Sequence, residues 1–251
     1  MEDFIRSLPW EQVYLFLGSQ KGLHTGEEEQ VRRFFEGVCL VLRSGMQWRF
    51  LPPTCGSWRA VHRKFLRWKQ QGIGDYLLQY ALSGQADLTE IMIDSTIVRA
   101  HSCAAGYKKD SGTSQALGRS KGGFTTKIHR VCEALGGTLK FTLTPGQRND
   151  ITQASELVAP INGAAIIADK AYDRQELIAQ IVPQGCVAVI PPRKNRKTPR
   201  EYDTHAYKER HLIETLFGKL KHFRRVFARF HKTKDAYAAF IAIASTIIWL
   251  R

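Results

Sequence analysis

Apolar residues recur at helical spacing through the first third of the chain. Over residues 27–43 they follow the three-, four- and seven-residue rhythm of an amphipathic helix. Pro52 and Pro53 interrupt the pattern, and Ser57 is placed to cap a helix that continues to about Gln70. Another helix is expected over residues 75–83. The sequence therefore predicts an all-helical region over residues 1–85.

From residue 88 the pattern changes to short apolar runs typical of strands. Gly136 and Gly137 between two such runs predict a hairpin turn. The expected strands are 90–98, 125–133, 138–144, one that ends at 169, and 187–191. The expected helices are 150–158, 173–182, one from about 204, and a closing helix over 236–250. This order, β-β-β-α-β-α-β-α, predicts an α/β domain with helices packed on a sheet.

Composition narrows the range of partners. The 251 residues carry a formal charge of +14 with 43% hydrophobic residues, which suits a folded protein that binds a polyanion, with nucleic acid ahead of a membrane. Five cysteines without a C-x-x-C spacing favour reduced thiols over a disulfide framework or a zinc ribbon. The apolar run 236–250 is too short to span a bilayer comfortably, so we expect an intracellular, cytoplasmic protein without membrane contact.

The helix over residues 57–70 combines an apolar stripe with many cations. Its expected DNA contacts are Arg59, Arg63, Lys64 and Arg67. A basic second helix after a turn suits groove and phosphate contacts in a helix-turn-helix arrangement. Any basic amphipathic helix would show the same pattern, so DNA binding stays one of two interpretations here.

Two aspartates stand in runs that look like buried strands. Asp94 lies within residues 90–98, and Asp169 ends residues 164–169. A buried carboxylate is costly unless it is paired or bound to a cation, so each acid requires a partner. Asp173 is the main rival to Asp169, but we expect it to cap the next helix.

A third acid lies on a helix with regularly spaced polar residues. At about 100° per residue, four side chains fall within roughly 60° of arc: Tyr207, Arg210, Glu214 and Lys221. A solvated surface helix would show a similar spacing. With Asp94 and Asp169, however, the helix predicts a site in which three acids hold a divalent metal, preferably Mg²⁺, beside a phosphate.

The three acids and the spacing Tyr-x2-Arg-x3-Glu-x6-Lys resemble the DDE transposases of bacterial insertion sequences, specifically the insertion-sequence-five family. The resemblance covers nearly the whole chain. Further matching motifs are 45–53 (GMQWRFLPP), 94–96 (DST), 121–127 (KGGFTTK), 145–150 (PGQRND) and 168–173 (ADKAYD). Ala171 departs from the family pattern, which has Gly at this turn.

The resemblance implies an α/β protein with a ribonuclease H-like catalytic domain and a mixed sheet over residues 88–251. A small helical, helix-turn-helix-like DNA-binding domain over residues 1–85 would precede it. Such a transposase cleaves the ends of an insertion sequence and joins them to target DNA by transesterification. Asp94, Asp169 and Glu214 would hold two Mg²⁺ ions, which Mn²⁺ can replace. The implied partners are double-stranded DNA, as terminal inverted repeats and target, and a second copy of the chain on that DNA, at the bacterial nucleoid.

Tyr207 and further basic residues are expected to contact DNA. Near the catalytic acids these are Tyr207, Arg210 and Lys221. The long connection 101–123 contributes Lys108, Lys109, Arg119 and Lys121, and Lys127 follows in the same motif. The segment before the catalytic helix contributes Arg193, Lys194, Arg196 and Lys197, although a solvated charged loop is a fair alternative.

Two other functions fit parts of this pattern. The first is a ribonuclease H-like nuclease that hydrolyses nucleic acid without joining strands. The second is a non-catalytic DNA-binding regulator, against which the three intact acids argue. His101 and His129 are weak candidates for substrate contact, because two-metal phosphoryl transfer needs no histidine base.

Overall fold

The structure is a computed structural model that describes residues 4, 6–19, 26–83, 86–105 and 115–251. The helices in chain order are α1 (Trp10–Ser19), α2 (Glu28–Ser44), α3 (Trp58–Gln70), α4 (Ile73–Leu82), α5 (Ile151–Val158), α6 (Gln175–Ile181), α7 (His211–Lys221), α8 (Arg224–Phe227) and α9 (Lys234–Trp249). The strands are β1 (Glu90–Ala100), β2 (Gly118–Ser120), β3 (Gly123–Glu133), β4 (Thr138–Pro145), β5 (Ala165–Ala168), β6 (Val187–Val189) and β7 (Ala228–Arg229).

The chain divides into two compact units. We call Met1–Ser83 with Lys219–Arg251 the helical unit, and Gly84–Gly218 the sheet unit. This division differs from the expected domains at one end, because the last helices group with the N-terminal helices. The division into a DNA-binding domain over residues 1–85 and a catalytic domain over residues 88–251 stays a prediction.

Aromatic packing forms the core of the helical unit. Phe65 of α3 stacks on Phe240 of α9 with ring centroids 4.7 Å apart, and Trp48 lies 5.2 Å from Phe65. Gly74 lets α4 approach α9 closely, since a Cβ there would lie 3.2 Å from the Ala239 carbonyl oxygen. The predicted helical region and the buried closing helix are therefore confirmed.

The sheet unit is built on a mixed sheet. Its strands follow the order β4-β3-β1-β5-β6, with β2 beside the start of β3. β1 runs antiparallel to β3 and parallel to β5, and β6 runs parallel to β5. Apolar residues of α5 and α6 pack with β1 residues such as Ile91 and Ile93 on one face. The predicted α/β architecture, a mixed sheet with helices after a helical region, is confirmed.

Several local expectations changed. β2 lies inside the connection that we expected to be loop, and the helix expected from about residue 204 begins as a 3₁₀ segment over Ala206–Arg210. Ser57 occupies the cap position of α3 but makes no side-chain cap bond. All five cysteines are free thiols, as expected. Within the described ranges, no helix combines the length and the apolarity needed to cross a bilayer.

Candidate active site

Asp94 lies in the middle of β1, between strands β3 and β5. Its side chain is 19% exposed. Oδ1 accepts a hydrogen bond of 2.7 Å from the Ser95 backbone N–H, and Oδ2 accepts one of 3.0 Å from Arg210 Nη1. Both oxygens are therefore held in place by neighbouring donors.

Arg210 connects two of the predicted catalytic acids. Its Nη1 donates to Asp94, and its Nη2 donates to Oε1 of Glu214 one turn further along the chain. The Glu214 side chain is 56% exposed. The fold thus brings Asp94 of β1 and Glu214 of α7 to one guanidinium.

Asp169 follows directly after β5, the neighbour of β1. Its Oδ1 accepts a 2.7 Å hydrogen bond from the Ala171 N–H and caps the 3₁₀ turn Lys170–Tyr172. Burial raises the pKa of Asp94, and the nearby charges of Asp169 and Asp150 raise it further, against the Ser95 N–H and Arg210. The charge of Asp169 is therefore close enough to Asp94 to affect the pKa of that carboxyl.

The described residues contain no group of three or more His, Cys, Asp or Glu side chains arranged as a ligand set for a metal ion. The acids nevertheless suit a divalent cation chemically, because they offer carboxylate oxygens and repel one another where Asp94 is buried. Arg210 supplies the positive charge between Asp94 and Glu214 in this arrangement.

The remaining residues of the predicted helical face differ in their surroundings. Tyr207 is half-buried in the 3₁₀ segment, and its ring meets that of Tyr202 edge-on with centroids 5.6 Å apart. Lys221 is half-buried at the last residue of α7 and belongs to the helical unit. Since α7 starts only at His211, the four residues do not form one continuous α-helical stripe.

The predicted DNA contacts on α3 carry uncompensated positive charge. Arg59, Arg63 and Arg67 are exposed, and Lys64 is half-buried with its ammonium 4.7 Å from the centre of the Phe34 ring. Burial and then the charge of Arg67 lower the pKa of Lys64. Among the described acids, none forms an ion pair with these four cations. A cavity of about 370 Å³ next to α3 is lined by Arg33, Lys64 and Arg67 among others.

The basic segment before the catalytic helix divides into bound and exposed residues. Arg193 donates to the carbonyl oxygens of Lys170 and Ala171, and Arg196 binds the Asp173 carboxylate. Lys194 and Lys197 are exposed. The segment is therefore anchored by its arginines, while its lysines face solvent.

Asp173 does not cap the next helix, so that expectation was wrong. The cap position of α6 belongs to Arg174. The buried Asp173 carboxylate instead accepts hydrogen bonds from the Arg193 N–H at 2.9 Å and from Arg200 at 2.6 Å, besides Arg196. The charges supplied by the basic segment satisfy this carboxylate better than the helix end would.

The predicted contacts in the 101–127 region also differ. Lys108 and Lys109 lie outside the described residues. Lys121 is exposed in the turn between β2 and β3, whereas Lys127 is only 8% exposed and its ammonium donates to Asp150 and to the Arg148 carbonyl oxygen. Lys127 thus faces into the protein.

Two histidines, His101 and His129, were weak candidates for substrate contact, and the structure places them in different surroundings. His129 is fully buried, its Nε2 lies 2.7 Å from Thr144 Oγ1, and burial lowers its pKa to about 4. His101 is exposed, and its Nδ1 accepts the Cys103 N–H at 3.2 Å.

Sequence reasoning missed the polar residues on the face of β1 opposite to Asp94. Asp150 ends the motif PGQRND, and Ser95 and Tyr172 lie in the motifs DST and ADKAYD. Their side chains converge on one face of the sheet, where Tyr172 is 1% exposed. The motifs were the available signal, but their spatial convergence was not readable from spacing.

Two family models match the chain. One, described as "Transposase DDE domain", matches residues 85–250, and the other, described as "Putative transposase of IS4/5 family", matches residues 8–78. Together they span both the helical region and the sheet.

Individual proteins are similar as well. A "Putative transposase for insertion sequence element IS6501" of Brucella ovis is 41% identical over 129 residues, which is 51% of this chain and 99% of the relative. A "Putative transposase for insertion sequence element IS402" of Burkholderia cepacia is 29% identical over 135 residues, 49% of this chain and 62% of that protein.

Solved structures show a more distant likeness. The piggyBac transposase synaptic complex with hairpin DNA has a TM-score of 0.43 at 14% identity, and the match covers 78% of this chain and 49% of that one. The Mos1 transposase paired-end complex has a TM-score of 0.28 at 10% identity, covering 74% and 77%. The chain thus spans about half the length of the piggyBac chain that it matches.

Proposed function

This chain belongs to the transposase DDE domain family, and we propose that it cleaves the ends of an insertion sequence and joins them to target DNA by metal-dependent phosphoryl transfer. Asp94, Asp169 and Glu214 are the proposed catalytic acids. The resemblance inferred from the sequence motifs is confirmed at the level of the family.

The observation that carries the proposal is the position of Arg210 between Asp94 and Glu214. These acids come from a central strand and a separate helix, yet one guanidinium binds both. Asp169 is near enough to raise the pKa of Asp94 through its charge, in addition to the larger effect of burial. Acids that converge on one cation in this way are suited to hold divalent ions.

Asp94, Asp169 and Glu214 would hold Mg²⁺, with Mn²⁺ as a substitute. Bound divalent ions activate the attacking oxygen and stabilise the leaving oxygen in phosphodiester cleavage. Arg210, which binds Oδ2 of Asp94 and Oε1 of Glu214, would keep these two acids together and would be placed to bind a DNA phosphate beside them.

Other side chains of the chain would bind and orient DNA. The cations of α3 supply phosphate contacts, because no described acid neutralises them, and the helical unit would recognise the terminal inverted repeats. Lys121, Lys194 and Lys197 are exposed, so they would be able to approach the phosphates of the DNA backbone. Tyr207 would contact DNA near the acids, and Lys221 would contact DNA from the helical unit. A homodimer would hold two ends together, and the reaction would take place at the nucleoid.

The test is incubation of the protein with duplexes that carry the ends of its own element, a target plasmid and Mg²⁺. Joined products are the expected result. Cleavage without joining would favour the ribonuclease H-like nuclease instead, and DNA binding without cleavage would favour the regulator.

A charge-neutral variant assigns the activity to the site. Glu214→Gln is expected to abolish cleavage and joining while DNA binding persists. Glu201→Gln removes an exposed acid outside α7 and serves as the matched control, which should cleave as the wild type does. Full activity of Glu214→Gln would remove Glu214 from the proposed site.

A further inference from the structure

A network of polar side chains lies on the sheet face covered by α5 and α6. At its centre is Asp150, the residue before α5. Asp150 Oδ1 accepts the Ser95 hydroxyl at 2.5 Å and the Lys127 ammonium at 2.8 Å. Lys127 also donates to the Arg148 carbonyl oxygen at 2.7 Å. One carboxylate oxygen therefore joins β1, β3 and the start of α5.

Ser95 links this network to the catalytic acid. Adjacent side chains of a strand point to opposite faces of the sheet, so Asp94 and Ser95 leave β1 in opposite directions. The Ser95 hydroxyl binds Asp150 on one face, and the Ser95 backbone N–H binds Asp94 Oδ1 at 2.7 Å. A shift of the Ser95 side chain would consequently move a donor that fixes the Asp94 carboxylate.

Lys127 stabilises the charged form of Asp150. An amine with a side chain that is 10% exposed is costly to bury alone, and Asp150 compensates it. Burial alone would raise the pKa of Asp150, but its bonds to Lys127 and Ser95 and the charge of Lys127 outweigh burial and lower it. This inward pairing explains why Lys127 is not placed to contact DNA. Tyr172 is also buried, and burial followed by the charge of Asp150 raises its pKa.

We propose that Asp150 is a positioning residue for Asp94 that acts through Ser95, and that Lys127 holds Asp150 in place. The inference rests on the proposed function, since it concerns how one of the catalytic acids is oriented for a divalent ion. Residues behind metal ligands commonly change metal affinity by about tenfold to a hundredfold when they are replaced.

The proposal is tested by measuring Mn²⁺ binding to the full chain without DNA. Electron paramagnetic resonance detects the bound ion. Asp150→Asn keeps the shape of the side chain and Ser95→Ala removes the linking hydroxyl. Each is expected to weaken Mn²⁺ binding about tenfold. If Asp150 acts through Ser95, the double variant should also lose about tenfold rather than about a hundredfold.

Two results would overturn the positioning role. One is wild-type Mn²⁺ affinity in Asp150→Asn. The other is fully additive losses in the double variant, which would mean that Asp150 acts independently of Ser95. Either result leaves the proposed function standing. Conversely, a wild-type protein that binds Mn²⁺ but never cleaves end DNA contradicts the proposed function and not the positioning role.

Asp173→Asn is the matched control for loss of a buried ion pair. Asp173 is 5% exposed and paired with Arg196 and Arg200, but its carboxylate makes no hydrogen bond to Ser95 or Asp94. It should lower the thermal unfolding temperature and leave Mn²⁺ affinity unchanged. An equal loss of affinity in Asp173→Asn and Asp150→Asn would show that general destabilisation explains the effect, and the positioning role would be rejected.

Discussion

The acidic site of the sheet unit and the basic helix of the helical unit treat charge in opposite ways. Around Asp94 the charged groups are bonded within the protein: Arg210 binds Asp94 and Glu214, and Lys127 binds Asp150. On α3, by contrast, Arg59, Arg63, Lys64 and Arg67 have no ion-pair partner among the described acids.

The difference teaches which part of the formal charge of +14 is available to a partner. Paired groups that are shielded from water fix geometry, and removing one partner leaves a costly uncompensated charge. Exposed cations without partners add little to folding, but they release counterions when they meet phosphates. We therefore expect substitutions in the sheet unit to affect chemistry and those on α3 to affect DNA affinity.

The largest effect is expected at Asp169. Asp169→Asn keeps a side chain that can cap the following turn but removes the charge, so cleavage of end DNA should fall by at least about 10³-fold, equivalent to several kcal/mol of transition-state stabilisation. Gel-shift affinity should stay unchanged. If Asp169→Asn also weakened DNA binding, the assignment of chemistry to the sheet unit and of DNA affinity to α3 would be contradicted.

The next effect concerns the fold of the helical unit. Phe240 is fully buried against Phe65, so Phe240→Ala should lower the free energy of unfolding by about 3–5 kcal/mol. Hydrogen exchange would locate the loss, and amides of α3 and α4 should lose more protection than those of β1 and β3. Equal losses throughout would mean that the two units unfold as one.

A smaller, pH-dependent effect is expected at His231. Both ring nitrogens are shielded without a hydrogen-bond partner among the described residues, and burial lowers the pKa to about 3, helped by the charges of Arg225 and Arg229. The unfolded chain takes up the proton near pH 6.5 and the folded chain does not. The free energy of unfolding should therefore fall as pH drops from about 6.5 towards 3, by up to about 1.4 kcal/mol per pH unit.

Denaturant unfolding of His231→Phe between those pH values checks this expectation. The variant should lose that part of the acid dependence, because phenylalanine takes up no proton. His222→Phe, which replaces an exposed histidine, is the control and should follow the wild type. An unchanged slope in His231→Phe would contradict the assignment.

The smallest effect per substitution is expected on α3. Arg63→Ala and Arg67→Ala should each reduce the slope of log affinity against log salt concentration by about 0.9, and weaken binding to specific and random duplexes alike. Asp150→Asn, in the sheet unit, should leave the dependence of DNA affinity on salt concentration unchanged. If affinity fell only for duplexes that carry the ends of the element, and not for random duplexes, the arginines would instead contact bases.

Much of the fold followed from hydrophobic periodicity. α2, α3 and β1 lie within one or two residues of their expected bounds, because the apolar spacing that predicts them is local. β2 was not expected, since Gly118, Arg119 and Ser120 offer no apolar alternation, and pairing with β3 alone makes them a strand. The 3₁₀ start of the catalytic helix was missed for a similar reason, because the polar spacing does not distinguish it from an α-helix.

The sequence by itself determined the α/β architecture and the family. It also predicted the three acids, of which Asp94 and Asp169 are visible without coordinates because they stand in apolar runs. Only the tertiary structure decided which charges pair. Lys127 and Lys121 lie in one motif, yet the first turns inward to Asp150 and the second is exposed. Arg210 is bonded to Asp94, a residue 116 positions earlier in the chain. Periodicity reports which face a residue occupies, whereas charge pairing depends on distances across the fold, which only the packed chain sets.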